Sequence, residues 1–161
     1  MTYAIVYSSK TGNTRLLAET LRDTLPTGDC LYFGEPGDEA LRAERIYVGF
    51  WTDKGTCDAD TAAFLARVTT QEVFLFGTAG FGGAPEYFDK ILSAARQNLP
   101  DGVTVCGSYM CQGKMPMAVR ARYEQMEDSP RRQMMIENFD AALSHPDTAD
   151  LAHLRDAVLD R

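Results

Sequence analysis

The sequence predicts an α/β fold, a doubly wound parallel sheet of five strands with helices on both faces, and three observations carry that expectation. Apolar runs alternate with helical patterns from the first residues to about position 109, which is the pattern of repeated βαβ units. The runs Ile46-Tyr47-Val48-Gly49-Phe50 and Val73-Phe74-Leu75-Phe76 are continuous rather than alternating, as in strands covered on both faces. With 161 residues, 45% of them apolar, the chain has the size of one domain with a sizeable core.

Taken in order, a strand near 2–8 contains Tyr3-Ala4-Ile5-Val6-Tyr7 and is followed by a helix over 13–25, marked by Leu16, Leu17, Ala18 and Leu21. Strands follow at 29–33 and 45–51, and Gly34 to Ala40 between them reads as a loop with at most one helical turn. A helix over 58–69, a strand over 72–78, a helix over 85–98 and a strand over 103–109 complete the alternation. The residues beyond read as two or three helices, broken near Asp128-Ser129-Pro130 and Ser144-His145-Pro146 by proline and capping residues. The expected organisation is a single domain over 1–161, with a core of about 1–127 and an extra C-terminal helical tail of about 128–161.

Composition narrows the function. No apolar stretch approaches a membrane span and no basic-then-apolar leader precedes the first strand, so a cytoplasmic protein without a membrane partner is expected. Cys30, Cys57, Cys106 and Cys111 are scattered without a Cys-x-x-Cys pair, which predicts buried or incidental thiols and no metal. A formal charge of -7 argues against nucleic acid and suits an acidic carrier steered to basic partners.

Ser8, Ser9, Lys10, Thr11, Gly12, Asn13 and Thr14 lie between the first strand and the first helix. N–H groups at a helix start lack partners and carry the positive end of the macrodipole, and hydroxyls add donors without charge. The turn therefore suits a phosphate monoester. Lys10 is the only cation in it and no Gly-Lys-Ser/Thr P-loop is present, which favours a mononucleotide over a triphosphate. The simpler alternative is that Thr11 or Asn13 caps the helix.

Ligands of open parallel sheets bind at the carboxyl ends of the strands, where strand order reverses. Two further loops fall there: Gly49-Phe50-Trp51-Thr52-Asp53-Lys54-Gly55-Thr56 and Gly77-Thr78-Ala79-Gly80-Phe81-Gly82-Gly83-Ala84. Trp51, the only tryptophan, would stack on a planar ligand or else turn inward against a helix. Phe81 sits among glycines that permit close approach to a ligand or merely form the strand exit.

Ser9-Lys10-Thr11-Gly12-Asn13-Thr14, Gly49 to Gly55 and Thr78-Ala79-Gly80-Phe81-Gly82 resemble the phosphate loop and the two flavin loops of the flavodoxin family, over roughly residues 1–112. That resemblance implies strand order 2-1-3-4-5 and FMN as cofactor. It places Ser9, Thr11, Gly12, Asn13 and Thr14 at the phosphate, Trp51 beside the isoalloxazine and the Thr78 to Gly82 backbone at its polar edge. Ser8, Lys10, Phe50, Thr52, Asp53, Lys54 and Gly55 complete the implied cofactor-binding set, and no catalytic residue is assigned. The family pattern has a tyrosine where Phe81 stands. Acidic residues near the ring are few, namely Asp53 and Asp58, and Lys54 opposes them, so no very low potential is predicted.

The segment Ser108 to Pro116 departs from the family pattern and lies at the same end of the sheet, where it would roof the flavin. Six of seven methionines fall between 110 and 135, as plain core or as a docking surface. Lys114, Arg120, Arg122, Arg131 and Arg132 form a basic run, read as a solvated helix face or as a guide for an anion. His145 and His153, away from any carboxylate-rich motif, are assigned no catalysis. Segments 51–55 and 107–115 further resemble small flavodoxin-like proteins associated with bilirubin reductase. The leading expectation is an electron-transfer protein working between a reductase and an acceptor reductase, with bilirubin reductase a candidate acceptor. The alternatives are a flavin-dependent oxidoreductase acting directly on a quinone or tetrapyrrole, and a flavin-free docking module.

Overall fold

The computed structural model describes residues 1–82 and 84–159. Five parallel strands, β1 (Tyr3–Tyr7), β2 (Cys30–Gly34), β3 (Arg45–Asp53), β5 (Glu72–Ala79) and β6 (Val105–Gln112), form one sheet in the order β2-β1-β3-β5-β6. This is the expected 2-1-3-4-5 arrangement. A further strand, β4 (Thr56–Cys57), pairs antiparallel with the end of β3. Strand order reverses between β1 and β3, so their carboxyl ends open a crevice.

Helices α1 (Asn13–Thr24), α2 (Ala59–Leu65), α3 (Pro85–Arg96), α4 (Met117–Glu124), α5 (Pro130–Ala142) and α6 (Thr148–Leu159) complete the chain. Successive strand residues point to opposite faces, and two cores result. Val6, Ile46, Val48, Phe50 and Leu75 pack with Phe64 and Leu65 of α2 and Ile91 of α3. On the other face Ile5, Tyr47, Phe74 and Phe76 pack with Leu17 and Leu21 of α1 and Leu154 and Val158 of α6. Fully burying each such side chain contributes about 1.5–3 kcal/mol before entropy is counted. The final helix therefore closes the second face, while α4 and α5 pack on each other between β6 and α6.

Several boundaries differ from expectation for identifiable reasons. The helix expected over 58–69 ends at Leu65, where Arg67 and Val68 donate to carbonyls only three residues back, a tightened final turn. β6 begins at Val105 and runs to Gln112 because pairing with β5 continues as far as Ala79 and Gln112, despite the weak apolar signal of Gly107 and Ser108. β4 exists because Lys54 (φ 53°) and Gly55 (φ 84°) form a tight turn with two positive φ angles, which reverses β3 on itself. Asp38–Arg42 is a 3-10 turn that puts Ala40 into the core. No helix among the described residues is long and apolar enough to cross a membrane.

Candidate functional site

The turn between β1 and α1 is organised around Gly12, whose φ of 90° lies in the left-handed region and directs the chain into α1. Ser9 braces it: its Oγ accepts from the Gly12 N–H at 3.1 Å and the Arg15 N–H at 3.4 Å, and its own hydroxyl proton stays available. The N–H groups of Asn13 and Thr14, in the first turn of α1, have no partner within the helix. Thr11 makes only a long 3.5 Å contact to the Lys114 carbonyl, so its hydroxyl is weakly committed.

Two further polar side chains of this turn face inward. Thr14 is 1% exposed, donates to the Phe50 carbonyl at 3.1 Å and lies 3.4 Å from Thr78 Oγ1. Asn13 Nδ2 donates to the Lys114 carbonyl at 2.8 Å, which ties the turn to the loop after β6. Gly113 has no room for a Cβ, which would stand 2.5 Å from Asn13 Nδ2.

Trp51 is pinned through its backbone. Its N–H donates to Asp58 Oδ1 at 3.3 Å, and the Asp58 N–H donates to its carbonyl at 3.1 Å. Asp58 also caps α2 through Thr61, so it is a buried structural carboxylate. The half-buried Trp51 ring carries Lys10 Nζ 5.0 Å from its centroid, within cation–π range.

The Gly80 carbonyl accepts from Gln112 Nε2 at 3.0 Å and from Asn138 Nδ2 of α5 at 3.1 Å. A Cβ at Gly80 would meet Met115 Sδ at 2.4 Å, so a side chain there would push the methionine aside. Phe81 is 39% exposed at the mouth. Thr52 donates to the Thr78 carbonyl at 2.8 Å and thereby joins the two loops.

Between these loops lies a cleft of about 330 Å³. Lys10, Thr11 and Asn13 of the β1–α1 turn, Trp51 and Thr52 of β3, and the Thr78 to Phe81 segment face it, with Lys54 and Gly55 at the hairpin tip. Met115, Pro116 and Val119 form its apolar wall. Ser8 and Ser9 open instead onto a neighbouring cavity of about 380 Å³ beside Glu35 and Asp60, and Gly12 lies on the His145 side of the turn. Phe50 is fully buried with its ring against Gly77, so it is a core residue whose carbonyl alone serves the turn. Asp53 closes the pairing with Thr56, Gly82 packs on Gln112, and Gly83 lies outside the described residues.

The expected roof segment brings Met115 to the cleft and Gln112 to the Gly80 carbonyl beside it, whereas sequence reasoning missed Tyr87 on the cleft and Asn138 behind Gly80, which carry no local motif. It also placed His145 away from carboxylates, whereas His145 Nδ1 lies 2.6 Å from Asp150 Oδ2. Asp147 and Asp150 cap the start of α6 through reciprocal backbone bonds of 2.8 and 2.9 Å. The basic run is divided: Arg120 pairs with Asp140 and Glu124, and Arg132 with the Tyr123 and Glu124 carbonyls, leaving Lys114 on the cleft. Met110 is buried, whereas Met117 and Met134 are exposed. Cys30, Cys57 and Cys111 are free thiols, and burial, aided by the Asp150 charge, pushes the Cys111 thiol far up and away from reactivity.

A family model described as Flavodoxin domain matches residues 4–159. The chain is 45% identical over 173 residues to a Clostridium symbiosum protein described as "Flavodoxin-like domain-containing protein BilS", spanning 94% of this chain and 91% of that one. It is 29% identical over 155 residues to a protein of the same description from Clostridioides difficile, spanning 91% and 88%. Among solved structures, a Lactobacillus acidophilus flavoprotein in complex with FMN matches with a TM-score of 0.53 at 16% identity, over 68% of this chain and 93% of that one. A short-chain flavodoxin associated with a non-canonical PDU bacterial microcompartment matches with a TM-score of 0.53 at 20% identity, over 88% and 97%. These two likenesses are of fold.

Proposed function

From the premise that the chain belongs to the flavodoxin domain family, we propose that it binds FMN noncovalently and carries electrons between a reductase and an acceptor enzyme. The observation that carries this reading is the convergence of a helix-start anion turn with Trp51 and Phe81 on one cleft at the strand ends. The donor set fits the cofactor: backbone N–H groups and the Thr11 hydroxyl suit a phosphate monoester, and the aromatic, glycine-bordered cleft suits a flat ring. Bound FMN would supply the redox chemistry, and the protein its binding and electrostatics.

The chain's own residues then have distinct duties. Thr11 and the first turn of α1 hold the phosphate, while Ser9, Thr14 and Asn13 keep the turn in shape. Trp51, held by Asp58, and Phe81 flank the ring. Gln112 and Asn138 keep the Gly80 carbonyl turned away from it, and Met115, Pro116 and Val119 exclude water along one side. Among the described residues lining the cleft there is no nucleophile–base pair of the kind that acyl or phosphoryl transfer needs. For the acceptor, the resemblance of segments 51–55 and 107–115 supports bilirubin reductase.

A second reading has its own support. The apolar wall of Met115, Pro116 and Val119 offers a floor for a small substrate over the ring, as a quinone- or tetrapyrrole-reducing flavoenzyme would need. The deciding experiment is anaerobic reduction of the FMN-loaded protein, followed by steady-state assay with NAD(P)H and a quinone. A yellow protein that reduces in two separable one-electron steps and turns over only with added reductase supports the carrier. Rapid turnover by the protein alone supports the flavoenzyme. A chain that cannot be loaded with FMN overturns both.

A further inference from the structure

Three lysines from three different elements of an acidic protein line the cleft. Lys10 belongs to the phosphate turn, Lys54 to the tip of the β3–β4 hairpin and Lys114 to the loop after β6, and all three line the cleft. No Asp or Glu is among its described lining residues, although the chain carries a formal charge of -7. Asp53, beside Lys54, lies at the end of β3 and outside that lining.

The backbone sets these positions firmly. Lys54 occupies a positive-φ corner followed by Gly55. The Lys114 carbonyl receives Asn13 Nδ2 at 2.8 Å, and its N–H donates to the His145 carbonyl at 3.0 Å. Lys10 Nζ lies 5.0 Å from the centre of the Trp51 ring, the surface on which a flat ligand would stack. Like charges gathered without a counter-charge repel one another, and the arrangement becomes favourable when negative charge enters the cleft.

We infer that Lys10, Lys54 and Lys114 make this cleft selective for the negatively charged, fully reduced form of the flavin over its neutral oxidised form. The inference rests on the FMN reading and specifies its electrostatics. The oxidised ring takes up two electrons and one proton to give a ring bearing one negative charge, the electrons coming from the reductase or, in the test, from dithionite. The second electron thus adds charge that no second proton neutralises, and nearby ammonium groups favour that step. A lysine that touched only the phosphate would bind both redox forms equally and leave the potential unchanged.

The test compares FMN-loaded wild type with Lys54→Gln, Lys114→Gln and the double variant by spectroelectrochemical titration, alongside the affinity of each apoprotein for oxidised FMN. Each substitution is expected to weaken the preference for the reduced anion about tenfold, about 59 mV in the one-electron potential of the second step. Lys54→Arg and Lys114→Arg should restore it, and added salt should shrink the differences. Equal potentials in all variants overturn the inference, and so does a loss of oxidised affinity that leaves the potential unmoved. Failure of the wild type to take up FMN is a separate result, seen as a colourless protein, and removes the FMN reading itself.

Discussion

Replacing Thr14 by valine removes one hydroxyl while keeping the branched shape of the side chain, and it separates two roles that the phosphate motif confuses. The hydroxyl is 1% exposed and donates to the Phe50 carbonyl at 3.1 Å. Its loss removes a buried hydrogen bond and strips a partner from that carbonyl, at a cost of about 1–3 kcal/mol. With an m-value of about 2 kcal/mol/M, the urea midpoint falls by about 0.5–1.5 M at constant m. Affinity of the folded Thr14→Val protein for FMN should stay at the wild-type value. Thr11→Val should do the reverse, because its hydroxyl makes only a 3.5 Å contact: unchanged stability, and binding weaker by about 1–3 kcal/mol. Wild-type stability together with lost affinity in Thr14→Val would refute the inward assignment of this hydroxyl.

Trp51→Ala is expected to lower FMN affinity by at least about 0.5–1.5 kcal/mol of stacking, and as Trp51 is the sole tryptophan its emission should be quenched on titration of the wild type. Gly77→Ala forces a Cβ to within 2.5 Å of the buried Phe50 ring and should cost about 1–3 kcal/mol in urea denaturation. Cys111, buried and with its thiol pushed far up, should resist iodoacetamide in the native protein and react only after unfolding, as read by mass spectrometry of the labelled peptide. The Asp140 carboxyl is held below its usual range by hydrogen bonds from Arg120, and that of Asp147 by the Asp150 N–H. Depressed carboxyls contribute stability above the unfolded value of about 3.9 and lose it as pH falls through the lower folded value. The stability gap between wild type and Asp140→Asn should therefore hold at neutral pH and close only below about pH 4.

How much of this was legible depends on the range of the signal. The β1, β3 and β5 runs are apolar enough to show themselves, whereas β6 contains Gly107 and Ser108 and is held by its pairing with β5. The inward turn of Thr14 was present in the pattern: positions 14, 17, 18 and 21 share one helix face, and Thr14, Leu17, Ala18 and Leu21 are all buried. Phe50 likewise shares strand parity with Ile46 and Val48 and joins their core. In both cases the motif outweighed a periodicity that pointed inward. Asp147 and Asp150 carry the spacing of a reciprocal helix cap. The hold of Gln112 and Asn138 on Gly80 spans 32 and 58 residues, and no local spacing announces it.

The bond from Asn13 to the Lys114 carbonyl joins residues 101 positions apart, and this sets an order of events during synthesis. When the anion turn leaves the ribosome, the wall that completes its cleft has not yet been made. Leu17 and Leu21 must likewise wait for Leu154 and Val158 before their side of α1 is covered. A nascent chain therefore carries the motif long before it carries the pocket. The cleft that would take the cofactor is complete only once the residues after β6 have been made.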